Sequence, residues 1–209
     1  MVLVQLFPGW SGNSPKQNFA LLRERLEEIP GVNVVIVEYL GINGPFTKLR
    51  TRSSIKELAI NAENNIPYLG EEKVIAVGHS LGAIIIRLLI KRGHKFDECI
   101  FAGGPHRGFS AKLLFLYPLA LLLRVRPFLE MMPGSDFLKS LGEAPPGIYI
   151  GSIKDEAVPL MSAIPEEANK KISLCCCGHN MFPYKKEEES RSAIPVVVEI
   201  VRKYVNNSL

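Results

Sequence analysis

The sequence predicts an α/β protein with a mostly parallel sheet of about six strands and helices on both faces. Three observations lead there. Short apolar runs of strand length alternate with amphipathic runs of helix length along the chain, the order that produces crossover connections and a parallel sheet. The run Val74-Ile75-Ala76-Val77 enters Gly78-His79-Ser80-Leu81-Gly82 and leaves into a second apolar run ending at Lys91-Arg92-Gly93, reading strand, sharp turn, helix. The chain has 209 residues, enough for one substantial core and little more, so a single domain is expected over 1–209.

Composition narrows the classes. The chain is 47% hydrophobic and 22% charged, ordinary values for a soluble globular protein. A net charge of +4 without Lys/Arg blocks or basic–aromatic interleaving gives no support for nucleic-acid binding. The four cysteines are Cys99 and the run Cys175-Cys176-Cys177, which matches neither a disulfide framework nor paired C-x-x-C zinc spacing. They read as small apolar fillers of a buried strand in a reducing compartment. Met1-Val2-Leu3-Val4 carries no basic n-region or cleavage site, and no apolar run reaches transmembrane length, so a cytoplasmic location is expected.

In order, Val2 to Phe7 is a strand and Pro8-Gly9-Trp10-Ser11-Gly12-Asn13-Ser14 a glycine-rich loop. A helix runs from about Pro15 to Glu28, with Phe19, Leu22 and Leu26 on one face, and stops at Pro30-Gly31. Val32 to Tyr39 is a second strand, ended by the Gly41-to-Pro45 cluster, and a helix follows from Ser53 to about Asn65. After the Ser80 turn, strands are expected over Phe96–Ala102, Gly147–Ile153 and Lys171–Cys177, and a closing helix over about Arg191–Val205. In that helix Val197, Ile200, Val201 and Tyr204 could face the sheet. The leucine-rich stretch Ala111–Met132 is broken by Pro118 and flanked by Lys112, Arg124 and Arg126. It reads either as a buried crossover helix or as a lid or membrane-touching cap within an insertion at about 109–140.

The Ser80 turn carries the chemistry. A serine at the apex of a strand-to-helix turn is driven toward a strained backbone and projects its hydroxyl off the sheet edge. Side chains two positions away on either side would collide, which accounts for Gly78 and Gly82. A serine hydroxyl attacks only when a histidine takes its proton and a carboxylate holds that histidine's tautomer. Of four histidines, His79 lies inside the turn, its side chain directed into the sheet or loop rather than at Ser80, and His94 sits in a polar, solvated turn. His179 lies just past the carboxyl end of the last strand, where ligands bind in parallel sheets, with His106 as its rival. Asp155 lies past the fifth strand at the same edge, with Glu156 adjacent, whereas Asp97 precedes a strand and Asp136 lies in the insertion. The order Ser80, Asp155, His179 is the one expected on such a sheet. The backbone N–H groups of Trp10 and Leu81 are the candidate oxyanion donors.

With these residues in place, the chain resembles a small α/β-hydrolase of the lipase/esterase type, like the compact bacterial lipases. The matching stretches are Gly78-His79-Ser80-Leu81-Gly82, the Pro8-to-Asn13 loop, Gly104-Pro105-His106-Arg107-Gly108 and Met132-to-Leu138. Pro8 stands where the family's HG pair has histidine, and Gly104 where a threonine is usual. The resemblance implies the α/β-hydrolase fold and cleavage of carboxylic esters through an acyl-enzyme, with no metal or organic cofactor. The leucine-rich 111–132 segment suggests an acyl chain as the apolar part of a small-molecule ester substrate, and a transient membrane or lipid-surface contact through the same segment. Thioester cleavage, acyl transfer, or a non-catalytic lipid- or protein-binding module are the alternatives the sequence leaves open.

Overall fold

The computed structural model describes residues 1–10, 19–39, 53–67 and 73–207. The Ser11–Ser14 part of the first loop, the expected helix start at Pro15 and the Gly41–Pro45 cluster lie outside the described residues. Six strands form one sheet in which every neighbouring pair is parallel: β1 (Val2–Phe7), β2 (Val32–Ile36), β3 (Lys73–His79), β4 (Glu98–Ala102), β5 (Ile148–Ser152) and β6 (Lys170–Leu174). Their order across the sheet is β2-β1-β3-β4-β5-β6. Because side chains alternate along a strand, each strand feeds two cores. Val4, Leu6, Ile75, Val77, Ile100 and Ile150 pack with helices α1 (Ala20–Glu27) and, at the chain end, Ile194–Asn206. Phe7, Ala76, Phe101 and Tyr149 pack on the opposite face, with α2 (Ile55–Asn65) and α3 (Leu81–Lys91).

Helix boundaries follow local chemistry. The second helix begins at Ile55 because Ser54 caps it: its Oγ accepts from the Glu57 N–H while a Glu57 carboxylate oxygen accepts from the Ser54 N–H at 2.6 Å. Between β4 and β5 the chain forms a 3₁₀ turn (Ala111–Leu116) and the short helices α4 (Tyr117–Leu122), α5 (Arg126–Glu130) and α6 (Asp136–Ser140). A four-residue helix, α7 (Leu160–Ala163), follows β5, and α8 (Ile194–Asn206) closes the described chain. The last helix starts three residues later than the sequence predicts, with Pro195 in its first turn, where a missing N–H costs nothing. Val197 and Val201 are fully buried against the sheet, and Ile200 and Tyr204 are half-buried beside them.

Three sequence expectations are corrected. β2 stops at Ile36, and Tyr39 instead donates its buried hydroxyl to the Pro8 carbonyl. β6 stops at Leu174, so the three cysteines do not fill a buried strand: β6 is an edge strand, Cys175 and Cys176 are exposed, and only Cys177 is buried. The 111–132 stretch is not one buried crossover helix: it is divided into short turns, of which Val125, Phe128, Met131 and Met132 are buried while the leucine run before them is largely exposed. Phe115 and Leu122 are 75% and 78% exposed, and Leu114, Tyr117, Leu119 and Leu121 are exposed with them. No helix among the described residues is long and apolar enough to cross a membrane.

The Ser80 turn is locked by close approach. A β-carbon on Gly82 would lie 1.9 Å from the Phe7 carbonyl oxygen, and one on Gly78 would lie 2.6 Å from the Ala83 nitrogen. Both obstacles are main chain and do not rotate away. Replacing Gly82 by alanine is therefore expected to cost about 3 kcal/mol or more of stability, read as a lowered urea midpoint. An unchanged midpoint would show that α3 moves off β1 without penalty.

Candidate active site

β3 delivers the chain to the turn and α3 carries it away, leaving Ser80 between them with φ 53° and ψ −117°. Such a backbone is costly for a residue with a side chain and persists only where the surroundings impose it. Here they do: the Ser80 N–H donates to the Ala102 carbonyl at 2.9 Å, and the Ser80 carbonyl accepts from Ala83 N–H at 3.1 Å. The strain turns the hydroxyl to the carboxyl edge of the sheet, where the loops after β5 and β6 arrive.

At that edge three side chains form one hydrogen-bonded chain. The Ser80 Oγ lies 2.9 Å from His179 Nε2, and His179 Nδ1 lies 2.8 Å from Asp155 Oδ2. Asp155 is buried after β5, and its other oxygen accepts from the N–H groups of Ala157 and Val158, each at 2.9 Å. With the carboxylate accepting all three contacts, Nδ1 of His179 carries the proton and Nε2 is free to accept from the serine hydroxyl. Glu156, adjacent in sequence, is exposed, and the carboxylate bonded to His179 is that of Asp155.

The other histidines lie elsewhere. His106 is buried with its Nδ1 3.2 Å from Arg87 Nη1, its ring edge-on to Phe101 and Tyr149. Burial and the Arg87 cation push its pKa well down. His94 is not simply solvated: its Nε2 lies 2.7 Å from Glu63, which also binds Arg92. His79 turns inward from Ser80, as its position in the turn predicts, and donates Nε2–H to the main-chain carbonyl of His179 at 2.8 Å.

The first loop closes the site from the β1 side. A β-carbon on Gly9 would meet the Ser80 Cβ and His79 Nδ1, both at 3.0 Å, so this loop lies directly against the turn. Tyr39 fixes it from below through the Pro8 carbonyl, and burial keeps that phenol protonated. Trp10 is half-buried against the apolar core and Leu81 is fully buried as the first residue of α3. The first N–H groups of a helix have no acceptor within it, which leaves the Leu81 N–H available beside the serine. Gly104, where the resemblance leads one to expect threonine, has a steric reason: a β-carbon there would lie 2.6 Å from both the Ala83 Cβ and His106 Nε2.

Sequence reading missed the supports of the site. Besides the contacts of Tyr39 and His79, the Ser152 hydroxyl donates to the Cys177 carbonyl, tying β5 to the loop that carries His179. These are side chain-to-carbonyl bonds across long sequence separations, and no local pattern announces them.

No family model matches the chain, and no curated protein matches it in sequence. Solved structures do. An esterase from Exiguobacterium antarcticum superposes with a TM-score of 0.66 at 17% identity, over 99% of this chain and 92% of its own. A metagenome-derived lipolytic enzyme gives 0.67 at 12% identity, over 99% and 94%. Mouse alpha/beta hydrolase domain-containing protein 10 gives 0.62 at 17% identity, over 99% and 90%. At these identities the likeness is one of architecture, and it agrees with the parallel six-stranded sheet and its flanking helices: the chain has the α/β-hydrolase fold.

Proposed function

We propose that this protein is a serine hydrolase that cleaves carboxylic esters. The observation that carries the reading is the continuous hydrogen-bonded chain from Ser80 through His179 to Asp155, with 2.9 Å and 2.8 Å links. In this reading Ser80 Oγ attacks the ester carbonyl carbon while its proton passes to His179 Nε2. The N–H groups of Trp10 and Leu81 hold the oxyanion, and the imidazolium gives its proton to the departing alcohol. Water, deprotonated by the same imidazole, then attacks the acyl-enzyme and releases the acid. Asp155 keeps the imidazole in the required tautomer and stabilises its cation.

The 109–140 segment is proposed as a cap beside this site, and its apolar composition favours an ester with an acyl chain. It supports, in addition, a contact with an anionic lipid surface. No Asp or Glu occurs from Cys99 to Leu129, while Lys112, Arg124 and Arg126 border the exposed leucines. Arg124 is informative because it ends α4 at φ 54°, where glycine is usual. The Val125 and Arg124 N–H groups bond back to the Ala120 and Leu121 carbonyls at 2.9 and 3.1 Å, so the local fold needs the backbone conformation and has no need of arginine. The exposed thiols of Cys175 and Cys176 fit a reducing, cytoplasmic setting.

Purified protein is expected to hydrolyse p-nitrophenyl acyl esters, with Ser80→Ala reduced to background and Asp155→Asn lowered in kcat by about 10⁴-fold. A Ser80→Ala variant as active as wild type would overturn the reading. On vesicles, the protein is expected to co-sediment with phosphatidylcholine containing phosphatidylglycerol and less with phosphatidylcholine alone. Arg124→Gly should keep the urea midpoint and weaken that sedimentation, and Phe115→Asp with Leu122→Asp should abolish it. Equal sedimentation of all variants would remove the segment from lipid contact.

A further inference from the structure

Both ring nitrogens of His179 are engaged, Nδ1 by Asp155 and Nε2 by Ser80, so the ring can be aimed further only through its own main chain. That main chain has an unusual anchor. The His179 carbonyl accepts two hydrogen bonds, one from the Met181 N–H at 2.9 Å and one from His79 Nε2 at 2.8 Å. The second donor comes from the residue immediately before Ser80, so one dipeptide of the β3–α3 turn holds both ends of the His179 residue.

We infer that His79 is a positioning residue, whose Nε2–H fixes the main chain of His179 and thereby the aim of its imidazole at Ser80. The inference rests on the proposed reading of Ser80 and His179 as nucleophile and base.

The surroundings of His79 fit this role. It is 6% exposed, with its ring edge-on to Phe182 at 5.5 Å and 5.3 Å from the His179 ring. Phe182 in turn packs against Phe19 of the α1 side, so the ring is held from behind as well as above. On its other edge Nδ1 faces Gly9, where a β-carbon would lie at 3.0 Å. The imidazole thus fills the space between the loop of Gly9 and Trp10 and the loop of His179. Burial holds its pKa down at about 4, so it remains a neutral donor and adds no second cation next to an imidazolium at His179. A buried donor that served only to fill the core would need an acceptor, but that acceptor would not have to be the main chain of His179.

The test compares His79→Gln, which places an amide N–H near the Nε2 position, with His79→Phe, which keeps the ring shape and removes the donor. His79→Asn, too short to reach the carbonyl, stands in for the phenylalanine variant if that one does not fold. Two readouts are taken: kcat and KM on a p-nitrophenyl ester, and hydrogen–deuterium exchange of the 178–183 loop. The expected result for His79→Phe and His79→Asn is KM within about twofold of wild type, kcat lowered about tenfold or more, and faster exchange in the loop. His79→Gln should recover most of both. Wild-type kcat and exchange in His79→Phe, or a glutamine variant as impaired as the phenylalanine one, would overturn the inference. If wild type itself shows no Ser80-dependent turnover, the hydrolase reading falls, and the exchange measurement still decides whether His79 anchors the loop.

Discussion

The contact between α3 and the end of β1 governs the rest of the molecule. Gly82 packs so near the Phe7 carbonyl that a β-carbon would fall at 1.9 Å from its oxygen. A helix that starts this close to the sheet can follow β3 only through a very sharp turn, and the turn's apex residue takes the strained conformation seen at Ser80. The strain is held by the Ser80–Ala102 hydrogen bond and by the burial of α3, in which every residue from Leu81 to Leu89 is buried, all apolar or glycine except Arg87. Packing energy distributed over a helix thus maintains one unfavourable backbone and turns one hydroxyl toward the carboxyl edge of the sheet, where it meets His179.

Parallel topology supplies the partners. All six strands point the same way, so the loops after β1, β3, β5 and β6 gather at one edge, and each contributes a candidate group. Asp155 illustrates the energetics. A buried carboxylate is costly unless hydrogen bonds replace its water, and the N–H groups of Ala157 and Val158 together with His179 do so. Because both oxygens of that carboxylate are bonded, its position is narrow, and the imidazole bonded to it inherits the same precision. The supports from His79, Ser152 and Tyr39 act on main-chain carbonyls, which fixes loops without using the side chains that meet Ser80.

The opposite design holds between β4 and β5. There the chain breaks into short helical turns and leaves leucine and phenylalanine side chains in solvent. Isolated exposed apolar residues are ordinary, whereas a run of them flanked in sequence by Lys112, Arg124 and Arg126 is not, even though Arg126 also lies 3.9 Å from carboxylate oxygens of Glu57 and Glu130. A surface of this kind is stable in water only because the rest of the chain, with two cores on either side of the sheet, carries the fold. The segment is therefore free to be selected for what it touches, which is the physical basis for proposing a lipid contact.

Much was legible in the chain itself. Short apolar runs marked the strands and amphipathic runs of period 3.6 the longer helices, since burial on both faces of a parallel sheet or on one helix stripe imprints those patterns directly. Gly78, Ser80 and Gly82 declared the turn because steric exclusion acts over neighbouring residues. Asp155 and His179 could be chosen over Asp97 and His94 because position relative to a strand end is also a local property. Tertiary structure alone decided matters that depend on distant partners. It bonded His179 to Asp155 and not to the adjacent Glu156, set His106 against Arg87, ended β6 before the cysteines and left most of the 111–123 stretch exposed. It also joined His79 to the carbonyl of His179, a hydrogen bond across 100 residues. Periodicity and sterics are written in adjacent residues, whereas a hydrogen bond between loops exists only after the sheet has brought their ends together.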